Sequence, residues 1–305
     1  MIGKFSIMKF LVTGGCGFIG SNLVDKLISH NHEVIVIDNL SSDAHENFYF
    51  NIKAKYYHCD INDIICSTIF ETDYLDGVFH LAAEARIQNC IEDPSLCIKT
   101  NVMGTQNILE LSSKNKINRM VFMSTSAIYG LQSKEIQTET DVPDCLNAYS
   151  YSKLFGEQLC KLYSSLYGLD TVCFRGFNIY GPRQPTKGQY APIMGIFLRQ
   201  KKNKQDLTIV GDGTQKRDFI HVDDICSALI RGMMIHERQN GEVYNLGTGN
   251  SYSINEIADM IGGNKIYIPP RKGEAKITNA NTIKIKSKLN WNHSISMRDY
   301  INDMD

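Results

Sequence analysis

The run Phe10-Leu-Val-Thr-Gly-Gly-Cys-Gly-Phe-Ile-Gly20 decides the fold. A β-forming stretch turns through glycines into a helix that begins near Phe18. Gly14, Gly17 and Gly20 are spaced G-x-x-G-x-x-G, which permits a tight turn, a close backbone approach and a helix N-terminus aimed at an anion. A pyrophosphate suits that geometry. Residues 33 to 38, Glu-Val-Ile-Val-Ile-Asp, form a second β-run that ends in Asp38, eighteen residues beyond Gly20, where a ribose 2′-hydroxyl needs an acceptor. A 2′-phosphate would meet like charge there, and Asn39 and Leu40 follow instead of an arginine. The sequence therefore reads as a site for NAD.

At 305 residues the chain is worth about two domains, and 43% hydrophobic content is enough for large buried cores. The formal charge is −1 without long runs of one sign, which argues against a nucleic-acid or membrane-surface partner and for a small molecule. Nine cysteines, an odd number without C-x-x-C pairs, read as reduced and mostly buried thiols, and so as a cytoplasmic protein. No apolar run approaches the ~18 residues of a membrane span. Met8-Lys9 directly precedes the first strand, so residues 1 to 7 are expected to contribute little.

Through residue 175, short β-branched runs at 8–13, 33–38, 55–58, 77–80, 118–124 and 170–175 alternate with helical stretches at about 18–30, 62–71, 95–115 and 147–167. That alternation predicts an α/β fold with a doubly wound parallel sheet of the Rossmann kind. Right-handed crossovers bring the carboxyl ends of the strands to one edge, and with them Gly14, Asp38, Asp60, His80 and Ser124 to Ser126. Beyond Arg175, Pro182 and Pro185 break the rhythm; a helix at about 190–202 and a strand at 207–210 start a smaller lobe. The chain then returns with a helix at 223–236 and a run at 243–246. This interleaving divides the chain into residues 1–177 with about 217–249, and about 178–216 with 250–305.

Tyr149 and Lys153 form Y-x-x-x-K one helical turn apart, on one face. Tyr49 and Lys53 make a second such pair, so position must choose. Tyr49 lies in the loop after Asp38, whereas Tyr149 follows a strand end rich in hydroxyls, Met123-Ser-Thr-Ser-Ala-Ile-Tyr-Gly130. A phenol with a pKa of about 10 must lose roughly three units, about 4 kcal/mol, to act as a base near neutrality. One ammonium about 4 Å away supplies that order of energy at an effective dielectric of 20, so Lys153 suffices in principle. Thr125 or Ser126 is placed to hydrogen-bond the substrate oxygen whose proton Tyr149 takes. His80 and His221 lack a second ligand at metal spacing and read as structural.

Together these motifs resemble the extended short-chain dehydrogenase/reductase superfamily, and within it the NAD-dependent nucleotide-sugar epimerase/dehydratase branch. The resemblance runs over nearly the whole chain and includes Cys59-Asp-Ile61, His80-Leu-Ala-Ala83, Asn101-Val-Met-Gly104, Arg175-Gly-Phe-Asn-Ile-Tyr-Gly-Pro-Arg183 and Arg217-Asp-Phe-Ile-His-Val-Asp-Asp224. It implies that the first division binds NAD and the second the nucleotide sugar. Gly14, Gly17, Phe18, Ile19, Gly20, Asp38, Asn39 and Asn101 would serve the cofactor, Asp60 and Ile61 its adenine, and Leu81, Ala82 and Ala83 would line its cleft. Tyr149, Lys153 and Thr125 would be catalytic. Ser126 would meet the sugar, Asn178 and Arg217 the diphosphate, and Arg271 with Glu274 the nucleotide. The stretches 95–115 and 147–167 match helices that pair relatives into homodimers, although their apolar positions could equally face the sheet.

Dehydratases of that branch carry Asp-Glu after the catalytic Thr, and decarboxylases tend to have a Glu where this chain has Ala127. Ser126 and Ala127 cannot supply the extra acid and base that loss of water requires. A UDP-sugar 4-epimerase is the leading expectation; another nucleotide-sugar epimerase, a 4-keto-sugar reductase, a disfavoured dehydratase or decarboxylase of the same family and, more distantly, a dinucleotide-sensing module are the alternatives. By the same resemblance Thr278, seven residues after Arg271, would wall the sugar pocket near C2, where its small side chain would leave room for an N-acetyl group.

Overall fold

The computed structural model describes residues 7–42, 44, 47–132, 134–186, 192–270 and 275–303. Its strands are β1 (Lys9–Thr13), β2 (Glu33–Asp38), β3 (Lys55–His58), β4 (Gly77–His80), β5 (Arg119–Thr125), β6 (Asp170–Gly176), β7 (Asn178–Tyr180), β8 (Leu207–Val210), β9 (Lys216–His221), β10 (Glu242–Leu246), β11 (Ser251–Ser253), β12 (Lys265–Ile268) and β13 (Ile277–Thr278). The helices are α1 (Phe18–Ser29), α2 (Ile65–Thr72), α3 (Ile87–Glu92), α4 (Pro94–Ile98), α5 (Gly104–Lys114), α6 (Ala148–Leu166), α7 (Ile193–Lys202), α8 (Val222–Met234), α9 (Ile254–Ile261), α10 (Ile283–Leu289) and α11 (Met297–Asn302).

Seven parallel strands form the large sheet in the order β10-β6-β5-β4-β1-β2-β3. From β1 the chain winds outward through β2 and β3, then crosses to β4 and winds the other way. That reversal between β1 and β4 opens a crevice at the strands' carboxyl ends. β1 is buried on both faces, as a covered parallel sheet requires. Phe10 and Val12 pack with Leu23 and Leu27 of α1, Ile225 and Leu229 of α8, and Ile285 and Leu289 of α10. Leu11, pointing the opposite way, packs with Ile69 of α2, Leu109 of α5 and Leu159 of α6. Each such burial contributes about 1.5–3 kcal/mol.

A second sheet joins β11, β9 and β13, with β7 paired to β9; β8 and β12 pair separately. α7, α9 and α11 cover these strands around Phe197, Ile209, Phe219, Ile257 and Ile301. Two features differ from the sequence division. β9, read as returning to the first lobe, is hydrogen-bonded within the small sheet, while its Ile220 and the following α8 pack into the large core. Residues Ile285, Leu289 and Trp291, read as part of the second lobe, also belong to the large core. No helix among the described residues is long and apolar enough to cross a membrane.

Candidate active site

The glycine-rich turn is as tight as its spacing implies. Gly14 has φ +70°, and a Cβ there would lie 2.8 Å from Ala82 N. A Cβ on Gly20 would lie 2.1 Å from the Gly14 carbonyl oxygen. Only glycine lets the α1 N-terminus meet the turn so closely, and a ligand's phosphates meet bare backbone there. Gly17 is the N-cap residue of α1 and no side chain caps the helix, while Phe18 is buried and Ile19 half-buried at its start.

Asp38 closes the turn from β2. Its Oδ2 accepts from Cys16 N and its Oδ1 from Leu40 N, both at 2.9 Å, which holds the carboxylate at the crevice rim with lone pairs to spare for ribose hydroxyls. Asn39 Nδ2 donates to Asp60 Oδ2 at 2.9 Å. Burial pushes the Asp60 carboxyl up, but hydrogen bonds from Asn62 and Asn39 outweigh it and hold the group below the usual range. Ile61, expected to face an adenine, has its side chain buried against the site of Gly104. On the other wall, Leu81 N and Ala82 N both donate to Thr13 Oγ1 at 3.2 Å, with Ala83 half-buried beside them.

His80 fixes this wall from below. Thr105 Oγ1 donates to the Asn101 carbonyl, so it accepts from His80 Nε2 at 2.9 Å; Nδ1 then accepts from Thr13 Oγ1 at 2.7 Å. Burial, and secondarily the Lys153 charge, pull this imidazole down to about 3, so it stays neutral. His221 caps α8 by accepting from Asp223 N at 3.1 Å.

Asn101, expected to serve the cofactor, makes its hydrogen bonds to the protein. It sits in a π-helical turn, Lys99–Met103, inserted between α4 and α5, and is buried. Its Oδ1 accepts from Glu84 N at 2.8 Å, and its Nδ2 donates to Glu84 O at 3.0 Å and Ser152 Oγ at 2.9 Å. The amide thus ties the wall after Ala83 to α6.

α6 begins with a capping box in which Asn147 and Ser150 satisfy each other's main-chain N–H groups, and this sets Tyr149 in the first turn. Lys153 follows one turn later. Desolvation pushes the Tyr149 phenol up to about 12, against a hydrogen bond from Thr125 that favours the phenolate. The expectation that the protein's own charges lower this phenol is therefore not met. Lys153 Nζ donates to Met123 O at 2.9 Å and lies 4.9 Å over the Phe122 ring. Burial lowers its ammonium to about 8, so it remains mostly charged at neutral pH. Thr125 ends β5, and its Oγ1 accepts from Ala127 N at 3.1 Å, while Ser126 is half-buried in the turn that follows.

Sequence reading missed the support beneath these residues. Ser124 Oγ donates to Glu157 Oε1 at 2.6 Å. Arg175 grips Glu157 with Nε at 2.9 Å and Nη2 at 2.8 Å, and its Nη1 donates to Tyr129 OH at 2.9 Å. Tyr129 in turn donates to Asn245 Oδ1 at 2.6 Å. Glu157 stands four residues beyond Lys153, on the Tyr149 face, and that spacing was the available signal.

Across the crevice, Asn178, Arg217 and Thr278 share the small sheet: Thr278 stands opposite Arg217, and Asn178 opposite Phe219. Arg217 Nη1 donates to Lys216 O at 2.8 Å. Next to it Asp218, fully buried, accepts from Thr248 N, Gly249 N and Ala280 N, which fastens β9 to the segments around it. Arg271 and Glu274 lie outside the described residues.

The profile of the NAD dependent epimerase/dehydratase family matches residues 10–247. A putative UDP-glucose 4-epimerase of Methanocaldococcus jannaschii is 37% identical over 298 residues, 95% of each chain. The crystal structure of a Thermotoga maritima UDP-glucose 4-epimerase with UDP-glucose superposes with a TM-score of 0.90 at 35% identity, covering 96% of each chain. A Thermus thermophilus UDP-glucose 4-epimerase in complex with NAD gives a TM-score of 0.86 at 30% identity, again with 96% of each covered. The cofactor is NAD, and the Gly14–Gly20 cradle with the Asp38 carboxylate at its rim fits it. This chain belongs to the NAD-dependent epimerase/dehydratase family.

Proposed function

We propose that the protein is a nucleotide-sugar 4-epimerase that inverts C4 of a UDP-hexose or UDP-N-acetylhexosamine in the cytoplasm. The observation that carries this is the strand end at β5: the Thr125 hydroxyl lies beside the Tyr149 phenol, Lys153 one turn along α6 reaches back to Met123 O on the same strand, and Ser126 and Ala127 follow without an acid or base. Such a set can move one proton at one sugar oxygen and nothing more. Tyr149 takes the proton of the 4-hydroxyl and later returns it, Thr125 orients that oxygen, and the Lys153 ammonium stabilises the phenolate. Bound NAD supplies the hydride acceptor at C4 and a positively charged ring that helps lower the phenol. Asn178 and Arg217, with Arg271 and Glu274, hold the UDP end, so the oxidised sugar can turn and be reduced on its other face. Residues 1–177 with about 217–249 mainly serve the cofactor in this scheme, and the remainder, joined by Arg217 on β9, serves the UDP-sugar.

The reading also includes a homodimer. Ile91, Leu96, Met103, Tyr151, Phe155 and Leu166 are exposed apolar residues on the helices α3 to α6 and the π turn, and a second copy would cover them. A monomer at micromolar concentration by light scattering would count against this. The activity is tested by incubating purified protein with UDP-glucose, UDP-galactose and their N-acetylamino counterparts without added NADH. Resolution by NMR is expected to show C4 epimers; loss of water, or no conversion, would remove the assignment.

A further inference from the structure

Tyr49 is the aromatic half of the second Y-x-x-x-K pair, and the chemistry above leaves it unused. Its main-chain N–H donates to the Cys16 carbonyl at 3.3 Å, so the residue lies on the glycine-rich turn. The guanidinium of Arg183 lies 5.0 Å over its ring. Arg183 comes from the segment after β7, and its Nη2 also donates to Asp25 Oδ2 on α1 at 2.5 Å. The other oxygen of Asp25 accepts from Asn51 Nδ2 at 2.6 Å. One turn earlier on α1, Asn22 Nδ2 donates to Pro182 O at 3.1 Å.

These contacts knit three segments that are far apart in the chain: the stretch after β7, the first helix, and the loop that follows Asp38. Arg183 has φ +68°, a left-handed conformation that a non-glycine residue keeps only where its surroundings hold it. Both Arg183 and Tyr49 are half-buried, so the ring face and the cation are partly shielded from water.

We propose that Arg183 is a clasp: by pairing with Asp25 and lying on Tyr49, it fastens Tyr49 to the glycine-rich turn at Cys16 and sets how slowly NAD leaves. The inference rests on the reading that NAD lies between Gly14–Gly20 and Asp38. A redox-neutral epimerisation fails whenever the cofactor departs between its two halves, so slow release is part of the function. A partly exposed ion pair and a cation–ring contact are each modest, and together correspond to roughly a tenfold change in release rate.

The test uses the full chain loaded with NAD, as wild type, Arg183→Ala, Tyr49→Ala and Tyr49→Phe. NAD per protomer after desalting is measured, together with the release rate followed by a coupled enzyme that consumes free NAD. Arg183→Ala and Tyr49→Ala are expected to release NAD about tenfold faster and to lose turnover on dilution that added NAD restores. Tyr49→Phe keeps the ring face and is expected to retain the wild-type rate. Release at the wild-type rate from both alanine variants overturns the clasp, and so does a Tyr49→Phe variant as leaky as Tyr49→Ala. Should Arg183→Ala fail to fold, the two Tyr49 variants decide alone. A wild-type chain that takes up no NAD overturns the cofactor placement, and the clasp with it.

Discussion

Asn178 and Thr278, a hundred residues apart in sequence, meet across the small sheet, where Asn178 Nδ2 donates to Thr278 Oγ1 at 3.3 Å. The same Nδ2 donates to Asp218 O at 3.0 Å, so the position that would gate sugar size is coupled to the side chain that would hold the diphosphate. Thr278 is half-buried, and a tyrosine there would fill space that close-packed surroundings do not readily yield. The expected outcome of Thr278→Tyr is selective loss of activity on UDP-N-acetylhexosamines, with UDP-glucose turnover kept within a few-fold. An unchanged ratio of the two activities would place the gate elsewhere.

Tyr149→Phe removes only the proton-transferring oxygen, so turnover should fall by at least about a hundredfold while NAD binding persists. Tyr49→Phe should leave turnover as it is. Steady-state rates and NAD content of the two variants, side by side, would expose a wrong choice between the two tyrosine–lysine pairs if both lost activity alike.

Asp38 accepts main-chain N–H groups with both oxygens and would place a carboxylate against the 2′-phosphate of NADP. NAD is therefore expected to bind more tightly than NADP, and Asp38→Ala to narrow the gap, chiefly by weakening NAD about tenfold or more. Calorimetry with both dinucleotides measures this, and equal affinities in the unmutated protein would contradict it.

His80 is held near 3 in the folded chain, against about 6.5 when unfolded. Between those values the unfolded chain binds the proton and the folded one does not, so stability rises with pH there. The contribution is complete above about pH 6.5 and is lost as pH falls toward 3, at up to about 1.4 kcal/mol per pH unit. His80→Gln should flatten the dependence of denaturation midpoint on pH between about 6.5 and 4. A slope identical to wild type would mean that the imidazole is not kept neutral by burial.

The large sheet was legible because its inner strands are covered on both faces: β2 and β4 are almost continuous apolar runs, and β2, the more exposed β3 and β4 fall where the sequence puts them. The three-residue β7 was not read, since so short a strand in a small sheet leaves no periodicity to count. Within the helix read at 95–115, the π turn was invisible because its partners, Glu84 and Ser152, are distant in sequence. At the site, the residue types and the edge they occupy followed from motif and topology, whereas the state of the Tyr149 phenol did not. It depends on how deeply the hydroxyl is enclosed, which spacing does not encode.

The outer strand β10 pairs with β6 only after the chain has passed through β7, β8 and β9. During synthesis the ribosome must therefore release residues 242–246 before the seventh strand can dock, and until then β6 presents an unpaired edge. A nascent or prematurely terminated chain ending before Glu242 would also lack Tyr244 and Leu246, both buried in the finished core, and with Tyr244 the ring that stacks on Phe174. Such fragments should aggregate rather than persist as half-proteins, which makes this fold intolerant of late truncation and dependent on protection while it is being made.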